Sequence, residues 1–268
     1  PISIKIGYDH QMGVLDAIQK DVEKKSRGLF SPLKVIEAVR AGLSLPFDEA
    51  LANERKLFLQ CIDSPQRAGL IHAFFAEREV LKVPEVKNVA PRTVASVGVI
   101  GGGTMGAGIA VAVLDAGLPV TMIERDAEAV ARGCANVEKV YNGLIAKGRM
   151  TESAKADVMA RFNTSTDYQA LAQADLVIEA VFEEMSVKKA VFAELDRVCK
   201  PHAVLATNTS YLDINEIAAS VSRPQDVIGL HFFSPANIMK LLEIVVPAQV
   251  SADVVATAFA LASQLKKV

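Results

Sequence analysis

His231 is the histidine whose surroundings favour chemistry, because it ends the apolar run Val227–Leu230 and precedes Phe232-Phe233-Ser234-Pro235. Twelve residues later, Glu243 is a lone acid in an apolar run, a placement that is costly unless the acid is paired. If the chain turns near Asn237, the two residues are equally distant from the turn and face each other on two strands. A carboxylate on one imidazole nitrogen leaves the other nitrogen to accept a proton. The pair predicts a general base for alcohol oxidation, whereas an isolated histidine here is equally typical of a core residue.

The run Gly101-Gly102-Gly103-Thr104-Met105-Gly106 fits the pattern G-x-G-x-x-G, directly after an apolar run and directly before a helical one. Glycines let the turn tighten and let the backbone approach a pyrophosphate, whose charge the free N–H groups of the helix start then hold. A glycine-rich turn without a ligand is the alternative. The cofactor contacts predicted in this loop are Gly101, Gly103, Thr104, Met105 and Gly106.

Glu124 directly follows the second predicted strand, 120–123, eighteen residues beyond Gly106. An acid at this position accepts hydrogen bonds from the ribose hydroxyls of adenosine and repels a 2′-phosphate, so the sequence favours NAD over NADP. Arg125 is the next residue and is also expected near the cofactor, over the adenine or facing solvent. An arginine can host a 2′-phosphate, so NADP remains the alternative.

The elements that must position these residues begin at Thr93, where short apolar runs start to alternate with helical patterns. Unbroken apolar strands between helices predict an α/β fold with a Rossmann-type doubly wound, mostly parallel sheet. The predicted strands are 94–100, 120–123, 176–180, 203–206, 227–230 and 242–246. The predicted helices are 105–116, 126–147, 152–162, 184–198 and 214–221.

An all-helical segment precedes this domain, because apolar residues recur at helical spacing from 33 to 79 and no strand alternation interrupts them. Asp63-Ser64-Pro65 breaks the pattern in the manner of a helix N-terminus. We therefore predict a helical segment with its linker over residues 1–85 and a Rossmann domain over residues 86–268.

Composition excludes several classes of function. The net charge is −2 and no basic stripe occurs, so nucleic acid is not an expected partner. No apolar run reaches the ~20 residues of a membrane span. Cys61, Cys134 and Cys199 lack metal-ligand spacing, so we expect core thiols in a reducing compartment and no metal. The start at Pro1 and the end after a helical run predict a piece of a longer polypeptide.

Together, the glycine loop, the run Asn208-Thr209-Ser210, and His231-Phe232-Phe233-Ser234-Pro235 with Glu243 resemble the NAD domain of L-3-hydroxyacyl-CoA dehydrogenases over residues 94–268. The resemblance implies that His231 is the catalytic base, that Glu243 orients it, and that Ser210 helps to hold the substrate oxygen. A helix cap before Asp213 is the alternative role of Ser210. Further implied cofactor contacts are Val181, Phe182, Glu183, Lys188, Asn208, Ser210 and Ser234, the last standing where the family has asparagine.

Residues 54–58, 64–67 and 74–78 resemble the closing helices of an enoyl-CoA hydratase domain. Hydratase tail before dehydrogenase is the order of the multifunctional enzymes of fatty-acid β-oxidation. The implied function is NAD-dependent oxidation of (S)-3-hydroxyacyl-CoA to 3-ketoacyl-CoA. Hydratase activity is not expected, because the residues that catalyse it in that family have no counterpart here.

Two alternatives stay open. In the dehydrogenase family a helical second domain follows and supplies an asparagine to the active site, so this chain is alternatively an NAD-binding fragment without turnover. It is otherwise a different β-hydroxyacid dehydrogenase, although relatives resembling 6-phosphogluconate dehydrogenase use a catalytic lysine. The implied partners are the acyl-CoA substrate, the rest of the polypeptide and a thiolase subunit, in a bacterial cytoplasm or alternatively a peroxisome.

Overall fold

A computed structural model describes residues 8–268, so the expectation drawn from Pro1 lies outside the described residues. The chain divides into two compact units, with the boundary between Val80 and Leu81. The sequence predicts this boundary after residue 85. The second unit begins earlier because a 3₁₀ turn, Pro84–Val86, belongs to it, and Val86 packs against that unit's core.

The first unit is helical throughout its described residues, as predicted. Its helices are α1 (Tyr8–Lys25), α2 (Phe30–Ser44), α3 (Phe47–Ile62) and α4 (Pro65–Glu79). Ser64 caps α4 by accepting a hydrogen bond from the Arg67 N–H at 3.2 Å, and Pro65 occupies the first helical position, where a missing N–H costs nothing. The expected helix start at Asp63-Ser64-Pro65 is therefore confirmed.

The second unit is a seven-stranded sheet with the order β3-β2-β1-β4-β5-β6-β7, in which β7 alone runs antiparallel. The prediction of a Rossmann-type, mostly parallel sheet is confirmed. Its strands are β1 (Val97–Ile100), β2 (Val120–Ile123), β3 (Phe162–Ser165), β4 (Leu176–Glu179), β5 (Val204–Thr207), β6 (Val227–Phe232) and β7 (Leu242–Val245). Its helices are α5 (Thr104–Asp115), α6 (Ala127–Ala146), α7 (Glu152–Met159), α8 (Met185–Val198), α9 (Ile214–Ala218) and α10 (Ala252–Gln264).

The central strands are buried on both faces, which is why they read as unbroken apolar runs. In β4, Leu176 and Ile178 join the core under α5, α6 and α10, whereas Val177 joins the core under α8 and α9. The carboxyl ends of the parallel strands all lie on one side of the domain, and the loops that follow these ends carry the site residues.

The strand β3 is absent from the sequence-based prediction, and the predicted helix over 152–162 extends too far. The helix α7 ends at Met159, and Phe162 already pairs with Val120 of β2. The run Phe162–Ser165 lies at the sheet edge and is only partly buried. An edge strand of this kind has too few apolar residues to be recognised by its sequence.

Arg92 anchors the N-terminal segment of the second unit to the rest of that unit. Its guanidinium donates to Asp226 and to Asp253, each at 2.7 Å, and to the Ser251 hydroxyl at 3.3 Å. Its backbone N–H donates to Thr257 on α10 at 2.8 Å. The segment before β1 is thereby fixed near the amino ends of the parallel strands, away from the carboxyl ends that carry the site.

Two further predictions concern side chains and membranes. Cys199 is buried, but Cys61 and Cys134 are only half-buried, so the expectation of three core thiols is wrong for those two. They lie on helices whose other faces meet solvent. Within residues 8–268, each helix is too short or too polar to cross a bilayer.

Candidate active site

The glycine loop joins β1 to α5 in the conformation that its glycines permit. Gly101 has φ +96°, in the left-handed region that favours glycine. A Cβ on Gly106 would lie 1.8 Å from the Gly101 carbonyl oxygen, so only glycine allows α5 to pack this closely. A Cβ on Gly103 would meet nothing within 4 Å, so open space lies beside the helix N-terminus. This arrangement fits a pyrophosphate group.

Glu124 follows β2 and faces the glycine loop. Its Oε1 accepts a hydrogen bond from the Gly102 N–H at 2.7 Å, and its Oε2 accepts one from the Arg125 N–H at 3.1 Å. The carboxylate is thereby held beside the loop, where a ribose would lie. The side chain of Arg125 is 71% exposed, and its Nε lies 3.0 Å from Oδ2 of Asp126.

His231 and Glu243 are direct partners in the β6–β7 pair, so the predicted turn midway between them is confirmed. Nδ1 of His231 lies 2.7 Å from Oε2 of Glu243. In the tautomer that carries its proton on Nδ1, the imidazole donates this hydrogen bond to the carboxylate, and the lone pair of Nε2 is available to take a proton. The ring of Phe233 packs against the imidazole with centroids 4.6 Å apart.

Asn208 connects the ends of three strands. Its N–H donates to the Glu179 carbonyl at 2.8 Å, and its Oδ1 accepts from the Phe232 N–H at 2.8 Å. The backbone next to His231 is therefore fixed by a side chain from the neighbouring strand end.

Ser210 is bound to Glu183. The Ser210 N–H and hydroxyl both donate to Oε1 of this carboxylate, at 2.7 and 3.1 Å, and the Thr209 hydroxyl donates to the same oxygen at 2.7 Å. The helix cap that follows is Asp213, whose side chain accepts from the Asn215 N–H, so the alternative role of Ser210 as that cap is wrong. Three donors that follow β5 thus converge on one acid that follows β4.

Lys188 lies beneath this cluster with a side chain that is 1% exposed. Its ammonium contacts both oxygens of the buried Glu179, at 2.8 and 3.0 Å, and Oε2 of Glu183 at 3.1 Å. The Thr207 hydroxyl also donates to Glu179, at 2.7 Å. Glu179 and Thr207 were not predicted as site residues, and Thr209 was named only within the run Asn208-Thr209-Ser210. Glu179 nevertheless carries the same signal as Glu243, an acid within an apolar strand.

The charge of Glu183 is stabilised by these contacts. Burial by itself raises the pKa of the Glu183 carboxyl, but hydrogen bonds from Thr209, the Ser210 N–H and Lys188 outweigh burial and lower the pKa to about 2. Glu183 is therefore an acceptor at neutral pH and not a proton donor.

A cleft of about 390 Å³ brings most of these residues together. The predicted residues that line it are Met105, Val181, Glu183, Lys188, Asn208, Ser210, His231 and Ser234. Ala180, Phe232 and Phe233 also line it. The remaining predicted residues lie outside this lining: Gly101, Gly103, Thr104 and Gly106 in the loop, Glu124 and Arg125 after β2, Phe182, which is largely exposed, and Glu243 behind His231. Within residues 8–268 no three His, Cys, Asp or Glu side chains are grouped to hold a metal ion.

Comparison with known protein families identifies the family to which the second unit belongs. The family described as 3-hydroxyacyl-CoA dehydrogenase, NAD binding domain, matches residues 96–268. The match includes the glycine loop and both residues of the His231–Glu243 pair. NAD is therefore the cofactor that this domain family binds.

Relatives match both units of the chain. The peroxisomal bifunctional enzyme of Cavia porcellus is 42% identical over 264 residues, covering 95% of this chain and 36% of that protein. The fatty acid oxidation complex subunit alpha of Shewanella baltica is 34% identical over 256 residues, covering 95% and 36%. Among solved structures, the 3-hydroxybutyryl-CoA dehydrogenase of Escherichia coli is 42% identical with a TM-score of 0.63, covering 66% of this chain and 37% of that one. The chain thus spans about a third of the length of these curated relatives.

Proposed function

The chain belongs to the 3-hydroxyacyl-CoA dehydrogenase family by its NAD-binding domain, and from this premise we propose that it oxidises (S)-3-hydroxyacyl-CoA to 3-ketoacyl-CoA. The observation that carries the proposal is the His231–Glu243 pair at 2.7 Å, beside a cleft that the glycine-loop residue Met105 also lines. An alcohol can lose its proton to such a base while its hydride leaves.

In this mechanism His231 accepts the hydroxyl proton of the substrate at Nε2. Glu243 keeps the imidazole in the tautomer that allows this and stabilises the imidazolium that results. NAD, when bound, supplies the acceptor for the hydride. The strand pairing of β6 and β7 keeps base and carboxylate in register throughout the reaction.

Ser210 contributes a hydroxyl to the lining of the same cleft. We propose that it helps to hold the substrate oxygen, with Glu183 fixing its position through two hydrogen bonds. Because Glu183 accepts from both the backbone and the hydroxyl, the serine keeps one orientation. The single hydroxyl proton of the substrate goes to His231, so Ser210 assists as a donor: its own hydroxyl proton turns from Glu183 to the substrate oxygen, while the Ser210 N–H stays bonded to Glu183.

The cofactor is assigned to the glycine loop and to the cleft beside it. We propose that the loop and the α5 N-terminus bind the pyrophosphate and that Glu124 binds the adenosine ribose. The proposed contacts at the nicotinamide end are Val181, Phe182, Glu183, Lys188, Asn208, Ser210 and Ser234. Arg125 is proposed over the adenine. The open space at Gly103 and the position of Glu124 support this path.

The chain is proposed to belong to a longer multifunctional enzyme of fatty-acid β-oxidation. The helical segment, with its linker up to residue 85, is assigned to the end of an enoyl-CoA hydratase domain. Its exposed rings, among them Phe47 at 79% and Phe75 at 62%, support packing against further protein. The name of the Shewanella baltica relative describes a subunit of a complex, which supports a partner subunit, for which we propose a thiolase.

The compartment is proposed to be a bacterial cytoplasm, with a peroxisome as the alternative. The three cysteines are free, as in a reducing compartment. The peroxisomal name of the Cavia porcellus relative supports the alternative.

Fluorescence titration of the chain with NADH and with NADPH tests the cofactor, and addition of acetoacetyl-CoA then tests turnover. We expect tight binding of NADH, weak binding of NADPH, and oxidation of bound NADH. Binding without turnover by the chain, with turnover by the full-length protein, favours the second candidate function, an NAD-binding fragment. Binding of neither nucleotide contradicts the proposal.

His231→Gln in the polypeptide that turns over separates catalysis from binding. We expect turnover to fall by a factor of roughly 100 or more, while NADH affinity stays within about twofold. His72→Gln, on the exposed part of α4, is the matched control. Unchanged turnover of His231→Gln contradicts the assigned base.

A further inference from the structure

Gly102, the second residue of the glycine loop, is held from two sides. Its N–H donates to Glu124, as described above, and its carbonyl accepts a hydrogen bond from Nδ2 of Asn136 at 2.9 Å. Asn136 lies on α6, whose first turn is fixed because Asp126 accepts from the Ala129 N–H at 2.7 Å. Both backbone polar groups of Gly102 are therefore engaged by side chains from outside the loop.

Gly133 lies three residues before Asn136, so the two residues share one face of α6. A Cβ on Gly133 would lie 3.2 Å from the Gly102 Cα and 2.9 Å from the Met122 sulfur. A Cβ on Gly102 would lie 2.7 Å from the Gly133 Cα. Helix and loop thus touch backbone to backbone, and this contact depends on glycine at both positions.

We propose that Gly133 and Asn136 are positioning residues for dinucleotide binding, which hold the glycine loop in the conformation that receives the pyrophosphate. By fixing Gly102, they fix the orientation of Gly103 and of the first N–H groups of α5. The inference rests on the proposed cofactor site. It adds the helix α6 to the elements that support this loop, beside β1, α5 and Glu124 after β2.

The helix itself gains nothing from these two residues. Glycine and asparagine are both poor helix formers, and alanine at either position favours an isolated helix. Asn136 is exposed, so it contributes no buried area to the core. Their contribution is therefore to the loop; replacing Asn136 separates cofactor affinity from helix stability, whereas a methyl group on Gly133 also meets the Met122 sulfur.

The test is titration of the chain and its variants with NADH and with ADP-ribose, which keeps the pyrophosphate and lacks nicotinamide. Asn136→Ala removes one hydrogen bond from the loop, so we expect Kd to rise about 3- to 10-fold for both ligands. Gly133→Ala pushes on Gly102 and is expected to weaken both ligands at least as much. Asn136→Ala leaves the buried Gly102 carbonyl without this donor, which opposes the gain in helix propensity, so its melting temperature should stay within about 4 °C of the wild type.

The same helix supplies matched controls. The Asn142 side chain accepts a hydrogen bond from Lys155 at 2.8 Å on the surface, and a Cβ on Gly143 would meet nothing within 4 Å. Asn142→Ala and Gly143→Ala should bind both ligands within about twofold of the wild type. Equal weakening by these controls would mean that the effect belongs to α6 as a whole, which overturns the inference.

Other outcomes separate the two proposals. If the wild type binds both ligands and Asn136→Ala binds them with the same affinity, the inference is overturned and the cofactor site stands. Weakened NADH with unchanged ADP-ribose also overturns it, because the effect then lies at the nicotinamide end. Absence of binding by the wild type removes the cofactor site and the inference with it. If Gly133→Ala fails to fold, Asn136→Ala alone decides.

Discussion

The imidazole of His231 and the carboxylate of Glu243 are oriented by strand register, because the two residues are directly opposite each other in the β6–β7 pair. The His231 side chain is 18% exposed and the Glu243 side chain 52% exposed. The base is thus shielded while its partner remains partly open to solvent. Sheet pairing, and not a loop, sets the distance between them.

Replacing Glu243 by Gln should reduce kcat of the full-length protein by a factor of roughly 100 or more. An amide removes the charge that stabilises the imidazolium and no longer selects one tautomer. NADH affinity should stay within about twofold. Steady-state kinetics with acetoacetyl-CoA, beside the surface variant Glu216→Gln, measure this, and an unchanged kcat would show that Glu243 does not orient the base.

Lys188→Met should destabilise the second unit by about 3–5 kcal/mol, because the fully buried Glu179 then loses its main counter-charge. The neighbouring Lys189 makes only an exposed pair with Glu216, so Lys189→Met should cost less than about 1 kcal/mol. Urea unfolding followed by circular dichroism compares the two. Similar losses in both variants would refute the role of the buried pair.

The lowered pKa of Glu183 should affect how the stability of the second unit falls at acidic pH. Its pKa is lowered from 4.5 to about 2 in the folded chain, so the folded state favours the ionised carboxyl. The stability it contributes is fully present above about pH 4.5 and is lost as the pH falls toward 2. Glu183→Gln should therefore flatten the decline of the unfolding midpoint between pH 5 and pH 3, measured in steps of about half a unit. Glu194→Gln, on the exposed side of α8, should retain the wild-type decline.

Alanine at two glycines of the loop should give different results. Gly103→Ala places a methyl group in open space, so the domain should fold while NADH binding weakens by about 10-fold or more, since the methyl obstructs the pyrophosphate. Gly106→Ala drives a methyl group into the Gly101 carbonyl and should lower the unfolding free energy by at least about 2 kcal/mol. Thermal melts and NADH titrations distinguish them; a folded Gly103→Ala with normal affinity contradicts the assigned path.

The sequence predicted what depends on local pattern. Strands such as Leu176–Glu179 are buried on both faces and therefore apolar throughout, and the glycine loop follows one of them directly. The pairing of His231 with Glu243 was predictable because two residues at equal distances from a turn meet in a hairpin. These features need no knowledge of the rest of the chain.

What depends on distant contacts was missed or incomplete. The polar strand β3 exists only because β2 offers it a free edge. From its sequence Lys188 is typical of a surface lysine on a helix, yet its side chain is buried and pairs with one acid of β4 and one of the following loop. The spacing of residues along the chain does not predict the hydrogen bond from Asn136 to Gly102, which lies thirty-four residues away.

The anchorage of Arg92 gives the second unit a defined starting point for limited proteolysis. Cleavage on the N-terminal side of the turn Pro84–Val86 would leave the bonds to Asp226 and Asp253 intact, together with the packing of Val86. Cleavage after Arg92 would remove them and leave Asp226, which is almost fully buried, without its main partner. A protease-resistant fragment should therefore begin before Arg92 and keep it.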